Sequence, residues 1–313
     1  MFTRPLLAAL AAIGLCGNAG EKSPTSVPVQ ITVTAAHHLS AQLPIITKDD
    51  LVVSERYEAL PLTKVIPLTG ARAGLELFLL VDECSNCELG PKLDELQRFI
   101  RSQAPTTVIG VAYIREGIVQ VIENPTADRE RAIQALTAPS GSKAANPFGA
   151  LTDLIKNWPQ TSSRRAVLMI ANGVNPAAPD EFQNVYAEGA IEAAERAGVI
   201  VYAIYHPTAD YFKSDFSQIH SGQILLSHVS YETGGEAYFI GPEPLPSLAP
   251  FLSDIAEHLK NQYLVEFLIP PGDASGLRSI TVKSNIPKMD LMAPDMVWVP
   301  SITPLVHPPR RNR

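Results

Sequence analysis

Two cysteines, Cys84 and Cys87, have the C-x-x-C spacing of a reactive dithiol. They lie between an apolar run and an amphipathic stretch, which is where a catalytic pair would meet the start of a helix. A redox cysteine needs nearby positive charge to stabilise its thiolate, whereas Glu83 and Glu88 flank this pair and favour the protonated thiol. We therefore expect a local disulfide between Cys84 and Cys87, with thiol-disulfide exchange as the alternative.

Other residues with chemical potential follow no catalytic or zinc-binding pattern. His206, His220 and His228 fall in one segment without regular ligand spacing, and we interpret them, like the pair His37-His38, as surface or hydrogen-bonded residues. The stretch Ser140-Gly141-Ser142-Lys143 matches S-x-x-K, but the companion motifs of serine acyl enzymes are missing. The sequence contains no phosphate-binding glycine loop, nucleophile elbow or HExxH motif. We expect a protein that is not an enzyme.

Residues 1–19 have the pattern of a secretory signal peptide. Arg4 supplies the positive charge, Leu6 to Leu15 the apolar core, and the small residues up to Ala19 a cleavage site. Lipid attachment at Cys16 is the less favoured alternative, because bulky Leu15 precedes it. No other apolar stretch approaches the ~18 residues of a spanning helix. The pattern predicts an extracytoplasmic protein, either periplasmic or secreted.

The charge of the chain disfavours nucleic acid as a partner. The full sequence has 25 basic and 32 acidic residues. Removing residues 1–19 takes away one arginine and no acid, which leaves 24 basic residues and a net charge of −8. Negative charge opposes binding to phosphates. The arginines near the C-terminus, Arg310, Arg311 and Arg313, are interpreted as a solvated tail.

The apolar pattern divides the mature chain into β and α/β regions. Short β-favouring runs come first; from Leu75 onward nearly continuous apolar runs alternate with amphipathic stretches, and a hairpin joins the runs at residues 108–113 and 118–122. This order predicts a doubly wound, mostly parallel sheet, inserted between N- and C-terminal β segments that form a small β-sandwich-like domain. The predicted regions are a flexible leader (20–28), a β segment (29–72), the α/β domain (73–263), a second β segment (264–300) and a flexible basic tail (301–313).

Several segments of the α/β region resemble one protein family. They are LELFLLVDECSNCELGPKLDELQRFI, TTVIGVAYIREGIVQVIENPTADRERAIQAL, LTDLIKNWP, RRAVLMIANGV, AIEAAERAGVIVYAIYHP and ETGGEAYFIG. In order and character they resemble the bacterial VWFA-related family, which has a von Willebrand factor type A-like domain. The resemblance covers residues 75–263 and, less specifically, both flanking β segments.

This resemblance implies a metal-ion-dependent adhesion site with an Asp-x-Ser-x-Ser run, a threonine and a second aspartate. Here only Asp82 of the run is retained, since Cys84 and Asn86 replace the serines. Asn172 stands where the second aspartate is expected, and the loop near Asn146-Pro147 offers no clear threonine. A hard cation needs several well-placed oxygens. We expect a degenerate site and no cofactor, with Mg²⁺ as the alternative.

The resemblance also implies where a ligand binds. Ligands of open α/β sheets bind beyond the carboxyl ends of the strands. The predicted contact residues are Asp82, Cys84, Asn86, Asn172 and Gly173. We therefore predict a secreted, non-catalytic module that binds a protein or cell-surface ligand through these loops. The alternatives are a thiol-disulfide protein using the C-x-x-C pair and a metal-dependent adhesin with noncanonical ligands.

Overall fold

The structure is a computed structural model that describes residues 26–37, 44–83, 89–137, 144–159, 161, 163–207, 216–241, 246–272 and 274–301. The predicted signal peptide, the predicted bridge between Cys84 and Cys87, and Asn86 lie outside these residues, as do the arginines of the tail. The predictions for these positions stay predictions.

The described residues contain β-strands and α-helices in the following order. The strands are β1 (Val27–His37), β2 (Leu51–Glu55), β3 (Glu58–Ala59), β4 (Leu62–Pro67), β5 (Leu75–Asp82), β6 (Thr107–Arg115), β7 (Ile118–Thr126), β8 (Arg164–Ala171), β9 (Val199–Tyr205), β10 (Ala237–Tyr238), β11 (Gln262–Ile269), β12 (Gly276–Ser279), β13 (Thr281–Ser284), β14 (Met289–Met292) and β15 (Met296–Val299). The helices are α1 (Leu93–Ser102), α2 (Arg129–Gln134), α3 (Pro147–Asn157), α4 (Asp180–Ala197), α5 (Phe216–Glu232) and α6 (Ala249–Lys260).

The centre of the molecule is a six-stranded sheet in the order β10-β9-β8-β5-β6-β7. Its strands are parallel except for β7, which returns antiparallel to β6 as the predicted hairpin. Strand β5 lies in the middle, and its continuous apolar run is buried on both faces, as expected for a central parallel strand.

Helices cover both faces of this sheet, because successive side chains of each strand point to opposite sides. Leu77, Leu79 and Val81 belong to the core shared with α1, α2 and α6. Phe78 and Leu80 belong to the core shared with α3, α4 and α5. This arrangement is the predicted doubly wound α/β fold class.

Strands from the two terminal segments pair with each other beside the α/β unit. Their largest sheet has the order β14-β1-β11-β4, in which β1 runs antiparallel to β11 from Val27 opposite Ile269 to Thr34 opposite Gln262. Two smaller sheets, β13-β2-β3 and β12-β15, complete this part. Alternate residues of β1 and β11, such as Val33 and Val265, enter its hydrophobic core. The α/β unit is thus an insertion between strands of one β assembly.

Two helix starts differ from the sequence-based expectation. The sequence pattern predicts a short helix over residues 225–232, whereas α5 begins at Phe216. The first half of α5 is mainly exposed and polar, so it leaves no apolar stripe in the sequence. Asp180 is a residue type that caps helices, and the sequence predicts it as the cap of α4. It is instead the first helical residue, and Pro179 occupies the capping position. The predicted end of α4 is confirmed, since Gly198 has a φ of 64° and closes the helix in the left-handed conformation.

Helices of the described parts of the chain are all too short or too polar to cross a membrane.

Candidate ligand-binding rim

The carboxyl ends of β5, β8 and β9 place four residues side by side, and we call Asp82, Asn172, Gly173 and His206 the strand-end rim. Asp82 is the last residue of β5, Asn172 and Gly173 follow β8, and His206 follows β9. The three strands are adjacent in the sheet, and the backbone N–H of His206 donates to the carbonyl of Ala171 at 2.9 Å. Two of the predicted contact positions, Cys84 and Asn86, lie outside the described residues.

Asp82 is a buried carboxyl group with no hydrogen-bond partner among the residues that the structure describes. Its residue is only 4% exposed, and neither side-chain oxygen contacts a donor among the described residues. Burial, and to a lesser extent the charge of Glu83, raises the pKa of Asp82 to about 7. Removing a polar group from water without a partner costs about 1 to 3 kcal/mol. At neutral pH this side chain is therefore close to the midpoint of its titration.

Glu83 forms a buried ion pair directly beside the rim. Arg115 Nη2 donates to Glu83 Oε1 at 2.6 Å, and the Glu83 side chain is 1% exposed. The hydrogen bond to Glu83 is the main cause that raises the pKa of Arg115. An acidic residue in a loop is predicted from sequence to be solvated. For Glu83 this prediction is wrong, because the hairpin of β6 and β7 carries Arg115 to the end of β5. The negative charge that Glu83 places beside the C-x-x-C pair is therefore balanced by Arg115.

Asn172 and Gly173 form a tight turn against helix α5. The Asn172 side-chain oxygen accepts from the backbone N–H of Val174 at 2.9 Å. Gly173 has a φ of 74°, and a Cβ atom there would lie 2.3 Å from the carbonyl oxygen of Gly222. The turn needs glycine for both reasons. Gly173 therefore sets how closely α5 approaches the rim.

His206 is a member of the rim that the sequence did not identify. Its residue is 4% exposed, its Nδ1 lies 3.2 Å from the carbonyl oxygen of Pro207, and its Nε2 has no partner among the described residues. Burial, together with the charge of Lys92, lowers the pKa of His206 to about 4. The imidazole is therefore neutral at pH 7. The sequence signal that could have identified His206 as a member of the rim is its position directly after a buried strand.

The other two histidines of that segment lie apart from the rim, on helix α5. His220 is exposed, and His228 Nε2 lies 3.0 Å from Glu188 Oε1. Their interpretation as surface or hydrogen-bonded residues agrees with these positions. His206 is hydrogen-bonded but buried.

The described part of the rim does not by itself fit a Mg²⁺ site. Mg²⁺ requires near-octahedral oxygen coordination, usually with one or two carboxylates. Asp82 offers one unpaired carboxyl group, but the Asn172 side-chain oxygen already accepts from Val174, and the carboxylate of Glu83 pairs with Arg115. A single buried carboxyl group can accept a hydrogen bond when ionised or donate one when protonated. This favours contact with a polar group of a ligand.

No family model matches the chain, and no curated protein matches it. Solved structures with a similar fold include an aerotolerance-related membrane protein from Bacteroides fragilis, with 17% identity, a TM-score of 0.44, and coverage of 59% of this chain and 98% of that chain. The ArnB paralog VWA2 from Sulfolobus acidocaldarius has 9% identity and a TM-score of 0.43, and the match covers 89% of this chain and 76% of that chain. The vWF domain of the type V pili tip protein Mfa5 from Porphyromonas gingivalis has 10% identity and a TM-score of 0.45, and the match covers 59% of this chain and 94% of that chain. Von Willebrand factor A domains, the family that the sequence resembles, are thus among the solved structures with a similar fold.

Proposed function

We propose that this protein is an exported, non-catalytic binding module whose strand-end rim contacts a protein or cell-surface ligand. The observation that carries the proposal is the buried carboxyl group of Asp82 at the carboxyl end of the central strand, which has no hydrogen-bond partner within the described part of the chain. Buried polar groups are almost always hydrogen-bonded, so an exception needs a reason. A ligand group that completes the hydrogen bonds of Asp82 supplies that reason.

The neighbouring residues support a recognition role for the rim. At the end of β9, His206 adds a polar atom, Nε2, that has no partner among the described residues. The ion pair of Glu83 with Arg115 and the close contact of Gly173 with Gly222 fix the backbone directly after β5 and β8. Groups that are already fixed in place lose little entropy on binding, which favours affinity.

Capture of partners from native envelope extracts tests this proposal. Immobilised wild-type protein is compared with Asp82→Ala, and Asp153→Ala serves as the matched control because Asp153 is an exposed acid on helix α3, away from the rim. We expect the same captured proteins with wild type and control, and at least a tenfold loss with Asp82→Ala. Equal capture by all three proteins contradicts a binding role of the rim.

A metal-dependent adhesin is the second candidate, and the same carboxyl group favours it. A cation next to Asp82 would stabilise the ionised form, and oxygen ligands from the loop that carries Asn86 would have to complete the site. Repeating the capture with EDTA and then with Mg²⁺ separates the two candidates. Capture that is unaffected by EDTA supports the metal-free module, whereas capture that Mg²⁺ restores supports the adhesin.

A further inference from the structure

A second group of polar side chains lies at the edge strand β10 and helix α6, away from the strand-end rim. Glu236 directly precedes β10, and Tyr238 ends it. Asp254 and His258 are four residues apart on α6, so they lie on the same face of the helix. These four residues have no role in the proposed function.

Three side chains of this group are close enough to be ligands of one metal ion. The direct contacts of His258 with the two carboxylates are longer than hydrogen bonds, at 3.8 Å from Nδ1 to Glu236 Oε2 and 3.8 Å from Nε2 to Asp254 Oδ2. The hydroxyl of Tyr238 lies between the three side chains, 3.3 Å from His258 Nδ1 and 3.5 Å from Glu236 Oε2. Only one of the two ring nitrogens can bind a given ion. One ligand atom from each of the three residues lies within 4.8 Å of the other two. Ligands about 2.1 Å from a tetrahedral ion are about 3.4 Å apart, so small side-chain rotations close the site.

The surrounding residues hold the histidine and leave the carboxylates accessible. His258 is only 7% exposed, and its ring stacks on Tyr202 with centroids 6.2 Å apart. The side chains of Glu236 and Asp254 are 46% and 51% exposed, which gives an ion a path from solvent. The hydroxyl of Tyr238 donates to Asp254 Oδ2 at 2.9 Å and so orients that carboxylate.

The charges near this group also favour a cation. One carboxylate oxygen of Glu236 and one of Asp254 lie within 4.8 Å of each other and of a ring nitrogen of His258. Two carboxylates this close repel each other unless a positive charge lies between them. A divalent ion supplies that charge and also binds the imidazole.

We propose that Glu236, Asp254 and His258 form a binding site for a divalent transition metal ion of the Zn²⁺ type. Imidazole nitrogen with carboxylate oxygen is a ligand set that zinc accepts and that Mg²⁺ and Ca²⁺ do not select. Three protein ligands leave a fourth position for water at the exposed side. The bound ion ties the edge strand β10 to helix α6, which leads within two residues into β11 of the β assembly.

Zinc binding to the full-length protein tests this site. The metal-free protein, prepared with EDTA and dialysed, is titrated with Zn²⁺ by calorimetry and in competition with a chromophoric chelator. The variants are Glu236→Gln and Asp254→Asn, which remove one ligand charge each at half-exposed positions. Glu257→Gln is the matched control, because Glu257 is an exposed acid on the same helix that pairs with Lys260 instead.

We expect one equivalent of Zn²⁺ to bind wild type and Glu257→Gln, with affinity at least ~10-fold to 100-fold weaker in each of the two ligand variants. Zn²⁺ is also expected to raise the melting temperature of wild type and control but not of the ligand variants. His258→Gln is a secondary variant, since its buried ring also packs on Tyr202. Absence of zinc binding, or binding that either ligand variant retains unchanged, overturns the proposal. Neither result affects the proposed function of the strand-end rim.

Discussion

Replacing Asp82 by asparagine is expected to make the stability of the protein less sensitive to pH. In the folded protein the pKa of Asp82 is about 7, compared with 3.8 for an ordinary aspartate. Because the folded state holds this proton more tightly than the unfolded chain does, the free energy of unfolding falls as the pH rises from about 4 to about 7. Above that pH range the free energy of unfolding has fallen by the full amount. Below it, the burial of Asp82 causes no such decrease.

The size of this effect follows from the difference in pKa. A difference of about 3 pKa units, at ~1.4 kcal/mol per unit, corresponds to about 4 kcal/mol of stability lost at alkaline pH. About 3 kcal/mol of this loss falls between pH 5 and pH 8.5. The carboxyl group is almost completely buried, so solvent screening reduces the figure little. Asparagine is uncharged throughout, although its unpartnered amide costs about 1 to 3 kcal/mol at every pH.

Urea unfolding at pH 5 and pH 8.5, with EDTA present, measures this difference. The quantity compared is the free energy of unfolding of Asp82→Asn minus that of wild type, which cancels the other titrating groups. We expect this difference to be about 3 kcal/mol more favourable to the variant at pH 8.5 than at pH 5. For the control Asp153→Asn, the same comparison is expected to give a change of less than about 0.5 kcal/mol. A difference for Asp82→Asn that is the same at both pH values refutes the assignment of a buried, neutral carboxyl group.

Three further predictions concern the residues around the rim. Low-millimolar Mg²⁺ is expected to leave the melting temperature unchanged, because the described rim offers one free carboxyl group; a saturable rise that Asp82→Ala abolishes contradicts this. Cys84 and Cys87 are expected to resist alkylation of the native, unreduced protein, and mass spectrometry that finds two alkylated thiols rules out their disulfide. Arg115→Ala is expected to lower the free energy of unfolding by about 3 kcal/mol, measured in urea, because the buried carboxylate of Glu83 loses its ion pair with Arg115; adding Glu83→Gln is expected to restore part of that loss.

The sequence predicted the sheet better than the helix starts. Strand β9 matches its apolar run from Val199 to Tyr205, because a strand buried on both faces leaves a continuous hydrophobic pattern. The first half of α5 carries no such pattern. It is held instead by contact with the β8 turn, where a Cβ on Gly222 would lie 2.2 Å from the carbonyl oxygen of Asn172. That contact depends on the folded chain and has no local signature.

The candidate sites show the same limit of local reasoning. The family resemblance selected Asp82 and Asn172, and the structure places both at the carboxyl ends of neighbouring strands. The pairing of Glu83 with Arg115 joins two segments through the hairpin, so the composition around Glu83 indicated a solvated acid. The zinc ligands Glu236 and His258 likewise come from separate elements. Asp254 and His258 share the i, i+4 spacing of a helix face, but this spacing is too common on helices to indicate a site.

The pairing of β1 with β11 has a consequence for the order in which the chain folds. Val27 and Ile269 are partners across almost the whole described chain, and β1 lies between β11 and β14. A chain that emerges from its N-terminus therefore presents β1 with neither neighbour until the last segments arrive, while the α/β unit already has its own six strands. Pairing over such sequence separation is slow. We therefore expect the β assembly to close after the α/β unit has formed, as the final step of folding.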